Sequence, residues 1–339
     1  MLLMALRYRV GIDTLNYMRN FEWVLPIERT SLFEIFSQFE PLNVLLRSIA
    51  KSFSDDFVFF QILHVFILNT LIARFILRHT QHILFALFFY FLLAGLYFNT
   101  EILRESLAVA VFINAFDYLK QKQWLKYYLC TAIAIGFHTS ASLTLLIPLV
   151  YKIQLNRFFW FVSGVFLVLL FVFQSQLHFI AIFFESTAGD KIIGYLNQDR
   201  LNINWMIVQV LNTAAFPIFF LYLNRKTLGK SENENMVGFY IVMGLGTIPV
   251  QMIFSRFTNY FVFFYIVMLA NLIPLIKTSI FRLIATPSLC LYFAVILYLG
   301  YFRRVSSVNE MKVYSRWYPY HSVFNKVKDP IREANWSGN

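Results

Sequence analysis

The chain has 339 residues, 59% of them hydrophobic and only 14% charged, with a mean hydropathy of +0.61. A soluble core of this length cannot use so much apolar side chain, which leaves a polytopic helical membrane protein. The +11 net charge is scattered between apolar runs and forms no continuous stripe, so nucleic acid is excluded as a partner.

Residues 1–55 read as an external N-terminal segment. Met1–Leu6 is an apolar stub that looks like the tail of a helix, and it predicts a further ~15–20 apolar residues upstream. Pro26, Pro41 and mixed charges then rule out a span. Pro41–Phe53 has leucines and isoleucines at helical spacing, with Arg47 and Lys51 opposite. That pattern predicts an amphipathic helix at the membrane interface.

A transmembrane helical domain occupies 56–302. Spans are expected over 57–77, 83–98, 102–119, 158–179, 205–223, 236–254, 257–276 and 283–302, with a polar loop at 185–204. Residues 303–339 form an external polar, aromatic tail. Cys130 and Cys290 fall inside apolar spans and read as buried thiols. His64 and His178 read as satisfied interior histidines. Glu232 and Glu234 read as solvated loop charge.

The run Leu125–Tyr151 is too long for one ordinary span, and basic residues flank both its ends. Lys and Arg concentrate in cytoplasmic loops. The loops at 74–82, 120–126, 152–157, 225–230 and 277–282 all fall on one side only if this run turns back. The expected fold is therefore all-α and polytopic, with about ten membrane helices or half-helices, including a hairpin broken near His138. Irregular backbone at membrane depth survives only inside protein or beside a watery cavity. An ionisable residue there is a functional candidate.

The external side then collects Arg7, Arg9, Arg104, Arg256 and the hairpin tip. Each arginine alone reads as an interfacial anchor. As a set they suit phosphate, because the planar guanidinium donates two parallel hydrogen bonds and keeps its charge.

These residues resemble a known family. Arg7-Tyr-Arg-Val-Gly11-Ile-Asp13-Thr14, with Tyr17, is similar to the opening motif of EpsG-like and Wzy-type polysaccharide polymerases. Glu40-Pro41-Leu42 resembles that family's acid before a helix. Asn99–Ala108 resembles its "N-x-x-R-Q-x-x-A" corner, and Phe137-His138-Thr139-Ser140-Ala141 its "F-H-x-S-A" turn. Ser255–Phe261 is similar to its "R-x-x-x-Y-F" span start, and Tyr318-Pro319-Tyr320 to its closing "P-Y". The ordered set covers nearly the whole chain. Glu105 departs from the pattern by replacing a glutamine, which sets a carboxylate beside Arg104.

The resemblance implies a glycosyltransferase that polymerises undecaprenyl-diphosphate-linked oligosaccharide repeat units, on the external face of the bacterial inner membrane. No cofactor is expected, and the residues show no evident metal site. The partners would be lipid-linked glycans, the bilayer and, as a candidate, a chain-length regulator. Arg104, Arg256 and Arg7 are the expected diphosphate ligands. His138 and Asp13 are candidates for base or acceptor positioning. Glu40, Tyr260 and Tyr17 are candidates for substrate positioning. Alternatives stand beside these roles: His138 as a cap on the hairpin turn, Asp13 as an ion-pair partner of Arg7 or Arg9, and Glu40 and Tyr260 as packing residues. A transporter or flippase, or a glycan ligase, is the competing function.

Overall fold

A computed structural model describes residues 1–11, 13–174, 203–231, 233–272 and 279–299, together with 305–306, 313–314, 317, 320–328, 330 and 333 of the tail. The expected 185–204 loop (all but its last two residues), His178 and Tyr318-Pro319 lie outside the described residues. The described chain is helical apart from a two-residue antiparallel ladder, Val305–Ser306 against Val313–Tyr314, and one isolated bridge. Four described helices are long and apolar enough to cross a membrane: Phe57–His79, Ile83–Thr100, Met206–Leu228 and Ile253–Leu272. The protein is an all-helical, multi-pass membrane protein. It forms two compact units, Met1–Leu145 with Ser288–Asn339, and Leu146–Pro287.

The first unit contains α1 (Leu2–Ala5), α2 (Thr14–Glu22), α3 (Leu32–Ser37), α4 (Pro41–Phe53), α5 (Phe57–His79), α6 (Ile83–Thr100), α7 (Leu103–Lys120) and α8 (Trp124–Phe137). α7 is its central helix. Ala108, Ala110, Phe112, Ile113, Ala115 and Phe116 are all buried, so protein rather than lipid encloses it. α5 packs along it, and His64 Nε2 meets the Leu103 carbonyl at 2.8 Å, while Nδ1 is buried with no partner among the described residues, so the interior histidine expected from sequence is satisfied at one ring nitrogen only. α6 contains a π turn, Phe91–Gly95. The Asn99 side chain donates to the Gly95 carbonyl and to Tyr90 Oη, which in turn donates to Asn69 Oδ1. The π turn and this hydrogen-bond ring support each other.

The hairpin exists. α8 ends at Phe137, and His138 is extended, at φ −157° and ψ 131°. The chain then continues as a 3₁₀ helix over Thr139–Leu146. It runs back beside α8, because Tyr127 Oη donates to the Thr144 carbonyl at 2.5 Å. The return limb advances in strides of three: the Ala141 N–H donates to the His138 carbonyl, and Thr144 Oγ1 to the Ala141 carbonyl. All three residues are buried.

The tail packs on the N-terminal segment. Tyr8 N donates to the His321 carbonyl and Val323 N to the Leu6 carbonyl, either side of an antiparallel bridge between Arg7 and Ser322. Arg9 and Glu333 form a bidentate pair at 2.5 and 2.6 Å.

The second unit contains α9 (Ile147–Val150), α10 (Arg157–Val172), α11 (Met206–Leu228), α12 (Glu234–Gly246) and α13 (Gln251–Leu272). α14 (Ser279–Leu297) begins here and ends in the first unit. Three expectations change. The break placed at Ser255-Arg256 lies instead at Thr247–Val250, where Pro249 interrupts the ladder, and α13 runs unbroken through Arg256. Glu234 is not solvated: it is 1% exposed and forms a two-pronged pair with Arg225 at 2.9 and 3.0 Å. Cys290 is exposed and Cys130 half-buried, so the buried-thiol reading fails for Cys290, whose helix face is open.

Candidate functional site

The site forms where α4, α7 and the hairpin tip meet. Glu40 is the N-cap of α4 and holds a left-handed backbone, φ 63° and ψ 60°. That conformation costs a non-glycine residue about 1–2 kcal/mol. Pro41 follows at the first helical position, where its fixed φ is already suited to the helix. The kink turns the Glu40 carboxylate into the protein, where the residue is 4% exposed. One carboxylate oxygen accepts from Arg104 Nη1 at 2.5 Å and the other faces His138 Nδ1 in a very short contact. The Thr139 N–H points at that second oxygen from 3.4 Å.

His138 lies between two acids. Its Nε2 is 3.6 Å from Glu105 Oε2, and Glu105 is 3% exposed. The glutamate that departs from the family pattern therefore flanks the histidine. Burial drives the Glu40 carboxyl toward holding its proton, but the His138 hydrogen bond and the Arg104 charge outweigh it, and the group stays ionised below its usual range.

The Arg104 guanidinium also interacts with the Tyr17 hydroxyl. Burial pushes the Tyr17 phenol up to about 12, against the pull of Arg104, so it is protonated at neutral pH. Arg104 keeps 43% of its side chain exposed, leaving part of the guanidinium open to a ligand. Asp13, the N-cap of α2, acts electrostatically on Tyr17.

Arg47 was not expected here. The sequence placed it on the solvent side of an interfacial helix. In the structure that face of α4 turns toward the site, where Arg47 interacts electrostatically with Arg104, Glu40 and Tyr17. Burial lowers its guanidinium pKa, with Arg104 adding to the effect, and its Nε is buried without a hydrogen-bond partner among the described residues. Lys51 stands over the Phe21 ring at 4.8 Å. The basic stripe thus packs against protein instead of facing the membrane surface. Its spacing gave the helix but not the direction of the stripe.

Arg7 is 1% exposed. Its Nη1 donates to the Met4 carbonyl at 2.6 Å, while Nε and Nη2 are buried with no partner among the described residues. Burial brings the guanidinium down to about 9, so it carries its charge at neutral pH. Tyr17 interacts electrostatically with both Arg7 and Arg104.

The first unit therefore brings together Glu40, Arg104, His138 and Tyr17, with Asp13 and Arg7 nearby through Tyr17. Arg256 and Tyr260 belong to α13 of the second unit, where Arg256 is half-buried and Tyr260 fully buried. Among the described residues no three His, Cys, Asp or Glu side chains converge as a metal would require. The arrangement can hold an anion beside fixed guanidinium charge and can accept a proton at an imidazole oriented by carboxylates.

No curated protein matches the chain. No solved structure matches it either. The EpsG family model matches residues 1–322, nearly the full length and every part of the site, and the chain belongs to the EpsG family.

Proposed function

We propose that this protein polymerises undecaprenyl-diphosphate-linked oligosaccharide repeats by glycosyl transfer, at the external face of the bacterial inner membrane. EpsG membership supports a polysaccharide polymerase-like role in general. The observation that supports the finer reading is the Glu40 carboxylate, held between Arg104 and His138 at the break of a membrane hairpin.

In this reaction an acceptor sugar hydroxyl attacks the anomeric carbon of the donor glycan. The new C–O bond forms as the bond to the lipid diphosphate breaks, and the electron pair leaves with the diphosphate. The hydroxyl proton passes to His138 Nε2. Glu40 at Nδ1 fixes the ring and stabilises the imidazolium that results, the role a buried carboxylate plays behind any histidine base. Arg104 meets the developing charge on the leaving group through its open edge, and Arg7 is a further phosphate ligand; for Arg256 the phosphate role rests on the sequence pattern alone. Tyr17 and Asp13 position substrate, and for Tyr260 that role rests on the sequence pattern alone. Glu105 sits where it can pass the proton onward.

Deleting the gene in its host and running the surface glycan on a gel tests the reading. Polymerase loss leaves single repeats and removes long chains. Unchanged long chains would sink it. Loss of every external repeat would mean transport, and free long chains not attached to their acceptor would mean a ligase.

A further inference from the structure

α7 carries Arg104 at one end and Asp117 at the other. The thirteen residue steps from one to the other span about 20 Å at ~1.5 Å per residue. At the Asp117 end, far from the site above, a cleft of about 500 Å³ is lined by Arg78, His79, Asp117, Tyr118, Lys120 and Lys126, with neighbouring glutamines.

The charges in this cleft are unbalanced. Asp117 is its only carboxylate among the described residues, and it is already engaged by His79 Nε2 at 3.1 Å and Arg78 Nη1 at 3.4 Å. Against it stand Arg78, Lys120 and Lys126, a surplus of two positive charges before His79 is counted. His79 is fixed in place: Nδ1 meets the Phe75 carbonyl at 2.8 Å, and the ring stacks on Phe75 at 4.2 Å. Lys126 stands over the Tyr118 ring at 5.6 Å. Basic loops are ordinary at a cytoplasmic membrane face. A concave set of cations built on three helix ends is a more specific arrangement.

The surroundings suggest the ligand. Leu77 beside Arg78 is 61% exposed, and Leu125 and Leu129 on α8 are 75% and 56% exposed, with Trp124 at the rim. In a membrane protein these apolar faces meet lipid. A molecule that fills the cleft and lies along them has an anionic head and an apolar body. We propose that this cleft binds the phosphate head of an anionic membrane lipid, as basic pockets between membrane helices do. The inference stands whether or not the polymerase reading does.

The test uses the full chain in neutral detergent. Native mass spectrometry measures retention of phosphatidylglycerol against phosphatidylcholine. The wild type should prefer phosphatidylglycerol. Each basic residue near an anionic head is worth about five-fold in affinity, so Lys120→Gln with Lys126→Gln should weaken retention roughly twenty- to thirty-fold. Lys120→Arg with Lys126→Arg should restore it, which separates lost charge from lost fold. Arg157→Gln with Lys230→Gln removes equal charge elsewhere and should change nothing. Equal loss in that control, no loss in the Gln pair, or failure of the Arg pair to restore binding would overturn the site. Displacement of the lipid by millimolar inorganic phosphate would overturn the lipid as its occupant and assign the cleft to a soluble phosphate.

Discussion

Gly136 and Leu42 touch so closely that a Cβ at position 136 would lie 2.7 Å from Leu42 Cγ. Gly136 precedes His138 by two residues, and Leu42 comes two residues after Glu40. Their contact sets how near α8 comes to α4, and so how near the imidazole comes to its carboxylate. Gly136→Ala should push the two apart and cost about 1–3 kcal/mol through overpacking, with a loss of polymer larger than the loss of folded protein. Leu42→Ala in the same chain should recover most of it. A double variant no better than Gly136→Ala alone would show that this contact does not govern the site.

Arg104 is expected to depend on its fork and not only on its charge. Lysine is a point charge and cannot hold Glu40, Tyr17 and a phosphate at once. Arg104→Lys and Arg256→Lys should lower polymer formation roughly 100- to 1,000-fold at normal membrane levels, the usual effect of losing a donor to developing charge. Arg74→Lys, exposed on α5, is the matched control. Full-length polymer from both variants would return these arginines to the role of interfacial anchors, since lysine snorkels about as well.

Glu40 ties activity and stability to pH. Its folded pKa is below its unfolded value, so its contribution is complete above the unfolded carboxylate pKa and is lost as pH falls through the folded one. Breaking a buried pair costs about 3–5 kcal/mol. The stability gap between wild type and Glu40→Gln should therefore be flat above about pH 5 and close in more acidic buffer, as read from detergent-phase melting curves. A gap that widens toward acid would have the wrong sign for a paired carboxylate.

Arg7 should set stability against function. Two of its three guanidinium nitrogens are buried and unsatisfied among the described residues. Replacing buried ionic groups with well-packed apolar side chains of similar volume is often neutral or stabilises by about 1–4 kcal/mol, and an uncompensated charge favours the stabilising end. Arg7→Met should melt higher than wild type and make less polymer. A variant that melts higher and polymerises normally would remove Arg7 from the phosphate ligands.

The hairpin makes a topological prediction. With Gln154→Cys in a background lacking Cys130 and Cys290, a membrane-impermeant thiol reagent should leave intact cells unlabelled and label them after permeabilisation. Ready labelling of intact cells would mean that the run crosses the membrane once.

Much of the fold and site was legible in the sequence, where chemistry and spacing coincide. The doubled basic flanks and over-long run around His138 required a reversal, and the chain reverses there. Arg104 and His138 stood out as ionisable residues in apolar runs, whereas Glu40, in a mixed segment, was marked only by the resemblance to the family's acid before a helix. Arg47 was missed because a basic stripe on an amphipathic helix looks the same whether it meets water or a buried carboxylate. Glu234 was missed likewise: its partner Arg225 lies across a turn, and spacing alone does not reveal which loop acid folds inward. The continuity of α13 through Arg256 was hidden because a charged residue between apolar runs marks a helix end as readily as a functional side chain within one.

The three-residue stride of the return limb has a further meaning. In an α-helix a one-residue insertion rotates the downstream chain by about 100°, and in this 3₁₀ segment by about 120°. Inserting or deleting three residues restores the facing edge and slides it by about 6 Å. The segment from His138 to Thr144 is thus a ruler graded in threes. Length changes of one or two residues move Thr144 off Tyr127, whereas a change of three shifts the depth of the tip and keeps the same seam.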